Sequence, residues 1–201
     1  ELLEAGVVSS GAIMVPCPWF RAAARFAAEH PRADLGVHLT LTSEWKTYRW
    51  GPVSTSDPAS GLLDAEGFFP ATAQAVQETG DPAAAAREIE AQVARAVDAG
   101  VVPTHADTHM GAVAHARFME GYVNAALRRG FPPMLPRLDE EGWRHVSRDH
   151  AGGGLDDEAI RRVIALTRSL EERGVPLLDG LAGLSLSSDP ELRMEEAKAF
   201  L

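Results

Sequence analysis

Only one cysteine, Cys17, occurs among the 201 residues. That excludes an intramolecular disulfide and any zinc site built from several thiolates. Basic clusters are equally scarce, none being longer than Arg128-Arg129 or Arg161-Arg162. With 29 acidic against 19 basic residues, the formal net charge is −10. This argues against a nucleic-acid partner, an anionic membrane surface or a polyanionic substrate. No apolar run approaches the roughly 20 residues that span a bilayer, and no signal peptide is visible, so a cytoplasmic location is the default expectation. Neither a Gly-x-Gly-x-x-Gly nor a phosphate-loop lysine motif is present, so dinucleotide and nucleoside-triphosphate readings lose support. A Gly-x-Ser-x-Gly elbow is also missing, which demotes serine-hydrolase chemistry.

What is present is the composition of one globular domain over residues 1–201, with 45% hydrophobic and 24% charged residues. Apolar patterning alternates between strands and helices. Strands are expected at Val7 to Val15, Leu35 to Thr42, Val101 to Gly111, Met134 to Leu138 and Val175 to Leu181. Helices are expected at Trp19 to His30, Asp81 to Ala99, Arg117 to Arg129 and Leu155 to Arg173, with a last one from Asp189-Pro190 onward. Ile89, Val93 and Val97 form the expected buried stripe of the second helix, and Glu88, Glu90 and Arg95 its solvated face. The alternation argues for parallel βα units, in a barrel or a doubly wound sheet. Glu1 to Ala5 reads as the last turn of a helix, and the last helix is cut off at Leu201. The expectation is a domain truncated at both ends.

Three stretches carry candidate chemistry. In Thr104-His105-Ala106-Asp107-Thr108-His109-Met110-Gly111, period-two alternation sends His105, Asp107 and His109 to one side. Three titratable groups on one buried face are costly unless they bind something. At about 3.3 Å per residue, His105 and His109 lie roughly 13 Å apart, whereas Asp107 and His109 are close enough to share a site. In Leu35 to Thr42, Val37, Leu39 and Leu41 face one way, and His38, Thr40 and Thr42 face the other, as in a polar barrel interior. The third stretch is a long loop at about 43–80, of the kind that serves as a lid or binding loop. Its Trp45, Tyr48 and Trp50, near Glu44, Lys46 and Arg49, suit stacking on sugar faces or simple loop packing. Arg137, at a strand end, is a candidate for substrate binding or for a surface ion pair. His145 and His150, in a polar Trp143 to Gly154 loop, read as solvent-facing.

Gly36-Val37-His38-Leu39-Thr40-Leu41-Thr42 and Pro103-Thr104-His105-Ala106-Asp107-Thr108-His109 resemble the two central motifs of the YdjC-like carbohydrate deacetylases, which include the chitooligosaccharide deacetylases. Glu4-Ala5-Gly6-Val7-Val8-Ser9-Ser10 resembles the family's first helix-to-strand junction. The resemblance implies an α/β fold, an irregular (β/α) barrel, lacking its first strand and C-terminal elements here. It implies one divalent metal ion, Mg2+ or Zn2+, held by an aspartate and two histidines, which carry over to His38 and His109. The aspartate belongs to an Ala-Asp-Asp motif that this sequence does not contain, and the family's later His-Pro-Gly segment is also absent. Asp107 matches the motif aspartate and, with His105 one layer deeper, is a candidate for catalytic duty. Where the family continues His-x-His, the second position here is Gly111.

The implied activity is metal-dependent hydrolysis of the C–N amide of N-acetylated sugars or oligosaccharides; Trp45, Trp50 and Arg137, from their own positions in the chain, are the candidate substrate contacts. The alternatives are a metal-dependent phosphoesterase or amidohydrolase on the same barrel, and a metal-free barrel that binds sugars. A homodimer is left open.

Overall fold

The computed structural model describes residues 2–149, 155–181 and 187–200. Strands β1 (Ser10–Ile13), β2 (Asp34–Leu39) and β3 (Ala106–Thr108) form a parallel sheet in the order β1-β2-β3. Single parallel bridges, Ala106 to Pro133 and Pro136 to Leu178, extend the hydrogen bonding through two further segments. Met134 N–H donates to the Ala106 carbonyl at 2.7 Å, and Arg137 N–H to the Leu178 carbonyl at 2.7 Å. The Met134 to Leu138 and Val175 to Leu181 stretches are therefore strand-like at single residues only. The prolines within them lack the N–H that a longer ladder requires.

Seven helices accompany the sheet among the described residues: α1 (Phe20–Glu29), α2 (Ala73–Thr79), α3 (Pro82–Asp98), α4 (Met119–Arg128), α5 (Glu140–Asp149), α6 (Asp157–Glu172) and α7 (Pro190–Phe200). Their starts follow from capping chemistry. Asp81 accepts the Ala84 N–H at 2.7 Å, with Pro82 at the first helical position. Asp156 accepts the Ala159 N–H at 2.7 Å, with Asp157 and Glu158 in the positive first turn of α6. Helix α5 occupies most of the stretch expected to be a polar loop. Trp143 is buried and anchors it, while His145 is exposed and His150 falls outside the described residues. No helix among the described residues is long and apolar enough to cross a membrane.

The core lies between the sheet and α1, α3 and α4. Val37, Leu39 and Leu41 are fully buried, as their alternation requires, and Ile89 and Val93 meet them from α3. Each such side chain contributes about 1.5–3 kcal/mol of transfer free energy. Val97 departs from the expected stripe and is exposed, because α3 is in its last turn there. The other departure concerns Glu88, which is fully buried. Its carboxylate accepts the backbone N–H of Val53 at 3.0 Å, that of Ser54 at 2.8 Å and the Gln92 amide at 2.8 Å. Gln92, also fully buried, accepts the Thr40 N–H at 3.0 Å and donates to the Thr40 carbonyl at 2.7 Å. A helix side chain thus takes the ladder positions that another strand would fill, and β2 ends at Leu39. One result is that His38 stands at the carboxyl end of its strand.

Inside the 43–80 segment, a 3-10 turn (Pro58–Ser60) and α2 interrupt the irregular chain. Arg49 ties it together, donating to Asp64 Oδ2 at 2.6 Å and the Phe69 carbonyl at 2.8 Å. Asp64 to Phe68 closes a tight turn, with Asp64 N–H on the Phe68 carbonyl at 2.7 Å.

Two stability effects are expected. Glu88→Ala removes the fully buried carboxylate that accepts from Val53 N–H, Ser54 N–H and the buried Gln92 amide, and should lower unfolding free energy by about 2 kcal/mol in urea titrations. Arg87→Ala, at the exposed neighbouring position, should change it by no more than about 0.5 kcal/mol. Gly36→Ala should destabilise by about 1–3 kcal/mol, because the new methyl would lie 2.5 Å from His105 Nε2 and 2.7 Å from its carbonyl oxygen. Gly11→Ala, whose methyl would meet only Leu35 at 3.5 Å, is the matched control.

Candidate functional site

The parallel register sets His38 opposite Asp107 and Leu39 opposite Thr108. Partners in adjacent strands project to the same face, so the imidazole and the carboxylate meet without any loop having to bring them together. His38 Nδ1 lies 2.8 Å from Asp107 Oδ1. Below them, Tyr122 donates its hydroxyl to the Ala106 carbonyl at 2.7 Å. Burial, with the Asp107 charge adding to it, pushes the Tyr122 phenol well above its ordinary pKa, so it remains a donor.

β3 stops at Thr108, three residues before the expected end at Gly111. From His109 to Ala114 the chain turns in a 3-10 fashion, through left-handed conformations at Met110 (φ 53°) and Gly111 (φ 68°). Glycine adopts this conformation freely and methionine at a cost. The turn swings His109 over the end of the sheet. Its Nδ1 comes to 3.2 Å from His38 Nε2, with the rings edge to face at 5.1 Å between centroids. On its other side, His109 Nε2 lies 3.0 and 3.1 Å from the two Glu44 oxygens.

Glu44 is the site residue that sequence reasoning missed as such. Its only signal was its place two residues after the alternating Leu35 to Thr42 stretch. Thr42 donates its hydroxyl to Glu44. Burial raises the Glu44 pKa, but the hydrogen bonds from Thr42 and His109 and from the backbone outweigh it, so the carboxyl titrates below its ordinary value. The segment beneath is pinned: Trp50 Nε1 donates to the Thr42 carbonyl at 2.7 Å, and Trp50 N–H to Ser43 Oγ at 3.1 Å. Cys17, four residues past the end of β1, has its thiol pushed up to about 11 by burial and by the charge of Glu44.

The four central side chains form a row, Asp107, His38, His109, Glu44. Each keeps between 17% and 27% of its side chain exposed, so the row opens on solvent. An ionised carboxylate only accepts, so each histidine nitrogen facing one must carry its proton there. That leaves His38 Nε2 and His109 Nδ1, in neutral rings, with lone pairs facing each other. The pair can share a proton or act as two ligands of an ion lying to one side. Two nitrogens bound to one zinc-like ion at about 2.1 Å, subtending about 100°, lie about 3.2 Å apart. A carboxylate behind a ligating imidazole is the common supporting arrangement in metal sites. The pair therefore fits two ligands of one ion. Among the described residues no group of three His, Cys, Asp or Glu side chains is placed to hold one.

The other expected residues lie elsewhere or serve other contacts. His105 sits at the opposite end of β3, with Nδ1 2.9 Å from Thr104 Oγ1 and 3.6 Å from Asp34 Oδ1, outside the row. Trp50 is buried, and its indole supports the loop rather than a binding surface, although its ring lies 6.4 Å from that of His109. Trp45 and Met110, next in sequence to Glu44 and His109, are 65% and 53% exposed. Arg137 is held in surface ion pairs by Glu171 and Asp179.

Comparison with known proteins places this geometry in context. A carbohydrate deacetylase of Thermus thermophilus is 34% identical over 127 residues, covering 63% of this chain and 44% of that protein. One of Brevibacillus brevis is 35% identical over 138 residues, covering 69% and 52%. The chain spans about half the length of the curated relatives it matches. A crystal structure of a cellobiose-phosphate cleavage protein from Enterococcus faecalis superposes with a TM-score of 0.55 at 19% identity over 87% of each chain, a likeness of fold. The model of the family described as YdjC-like protein matches residues 1–198, so the chain belongs to that family.

Proposed function

We propose that this chain forms part of a divalent-metal-dependent deacetylase acting on N-acetylated sugars or oligosaccharides, its arc of parallel segments belonging to an irregular (β/α) barrel. The observation that carries the reading is the approach of His38 Nε2 and His109 Nδ1 to 3.2 Å, each imidazole backed by a carboxylate. The relatives named carbohydrate deacetylases support the choice of reaction.

His38 and His109 would hold the ion, Zn2+ or Mg2+. Two carboxylates beside two neutral imidazoles leave a local charge of about −2, which favours a divalent over a monovalent cation. When bound, such an ion polarises an amide carbonyl and lowers the pKa of a coordinated water. Asp107 keeps the His38 ring turned so that Nε2 faces the open side. Trp45, exposed beside Glu44, offers a ring face to a sugar. His105, bonded to Thr104 away from the row, would support β3 rather than touch substrate.

Metal analysis and acetate release test the reading together. The full-length protein of which this chain forms part should bind one equivalent of Zn2+ or Mg2+ and release acetate from N-acetylated sugars. His38→Ala and His109→Ala should each lose the metal, and with it at least about 100-fold in kcat/KM. A protein that stays metal-free after reconstitution, or a variant that keeps its ion, contradicts it. Phosphate released from sugar phosphates without acetate release would favour the phosphoesterase alternative.

A further inference from the structure

The geometry points to Glu44 as the positioning residue for His109, a second carboxylate–histidine pair that mirrors Asp107 and His38 and fixes which nitrogen of His109 is free to bind. This inference rests on the metal reading of the site and adds to it a residue outside both histidine motifs.

The argument begins with the hydrogen bonds. Both oxygens of Glu44 lie within 3.1 Å of His109 Nε2. A carboxylate cannot donate, so the proton sits on Nε2 and the Nδ1 lone pair is turned toward His38. Asp107 does the same for His38 with the nitrogens exchanged, holding the proton on Nδ1 and freeing Nε2. Two carboxylates on different segments thus select opposite tautomers, and only that combination points both lone pairs at one place. Thr108 bears no side-chain hydrogen bond to His109 that could replace Glu44; its hydroxyl accepts from Val113 N–H at 3.2 Å.

The surroundings of Glu44 are those of a residue held in place. The Thr42 hydroxyl donates to Oε1, and Thr42 and Ser43 are fully buried. Trp50 clamps both through its indole and backbone N–H groups, and Ser43 N–H donates to the Pro70 carbonyl at 2.9 Å. Because Arg49 binds Ser43 Oγ at 3.3 Å as well as Asp64 and Phe69, the long loop is fastened to the segment that carries Glu44. The loop therefore has a task at the metal site besides any contact with sugar: it sets the orientation of His109. A carboxylate of this kind typically changes metal affinity by about 10–100-fold.

Histidine nitrogen NMR on the metal-free protein reads the tautomers without needing any ion. The wild type should show His38 protonated on Nδ1 and His109 protonated on Nε2. Glu44→Gln, nearly isosteric, should give His109 a mixture of tautomers while leaving His38 as it was. Asp107→Asn should do the reverse. In Zn2+ titrations, Glu44→Gln should weaken binding about 10–100-fold with an unchanged melting temperature. A His109 protonated on Nδ1 in the wild type, or an Nε2–H form that persists in Glu44→Gln, overturns the inference. If the wild type shows the two expected tautomers and binds no Zn2+, the positioning role stands and the metal reading falls.

Discussion

Two imidazole nitrogens approach to 3.2 Å, each ring backed on its far side by a carboxylate, and such a pair is satisfied either by a shared proton or by a common ion. Much of the local structure serves to maintain that arrangement. Parallel pairing sets His38 against Asp107, the left-handed turn at Met110 and Gly111 brings His109 over the sheet end, and the Thr42-Ser43-Glu44 segment closes the row from the other side. Each device is ordinary when taken singly. They converge on one patch where all four side chains are partly exposed, so the row is open to solvent and to a ligand.

The buried pair Glu88 and Gln92 links this site to the body of the fold. Gln92 stops β2 one residue beyond His38 by taking both backbone groups of Thr40, and Glu88 holds the loop backbone at Val53 and Ser54. One helix face therefore sets where a strand ends and where the loop begins its path. Leaving polar groups buried is costly unless each is bonded, and here each oxygen and the amide are used. The same helix presents Ile89 and Val93 to the core, so packing and positioning are not separable in α3.

Much of this was legible in the sequence. Alternation over Val37 to Leu41 marked the buried face, the Asp81-Pro82 and Asp156-Asp157 pairs marked helix starts, and the two histidine motifs identified His38, Asp107 and His109, which the fold brings together. Other features were hidden for identifiable reasons. A period-two reading of residues 105–109 could not see that Met110 would adopt a left-handed conformation, so the strand was drawn too long. Glu88 looked solvated because burial of a carboxylate depends on backbone donors from a loop some 34 positions earlier in sequence. Trp143 to Gly154 read as a loop because it is polar and glycine-rich, yet α5 forms over much of it, with Trp143 buried and Arg144 paired to Glu140 and Asp157. Glu44 follows the alternating stretch by two residues, but its partner His109 is 65 positions away, and no local pattern reports such a contact.

The most direct test of the account is the anomalous scattering of a zinc ion in crystals of the Zn2+-loaded protein. The account predicts one strong peak within about 2.0–2.1 Å of both His38 Nε2 and His109 Nδ1, with Asp107 and Glu44 still bonded to the outer nitrogens. A peak that touches only one of these histidines, binds through His38 Nδ1 or His109 Nε2, or lies elsewhere on the protein would contradict it.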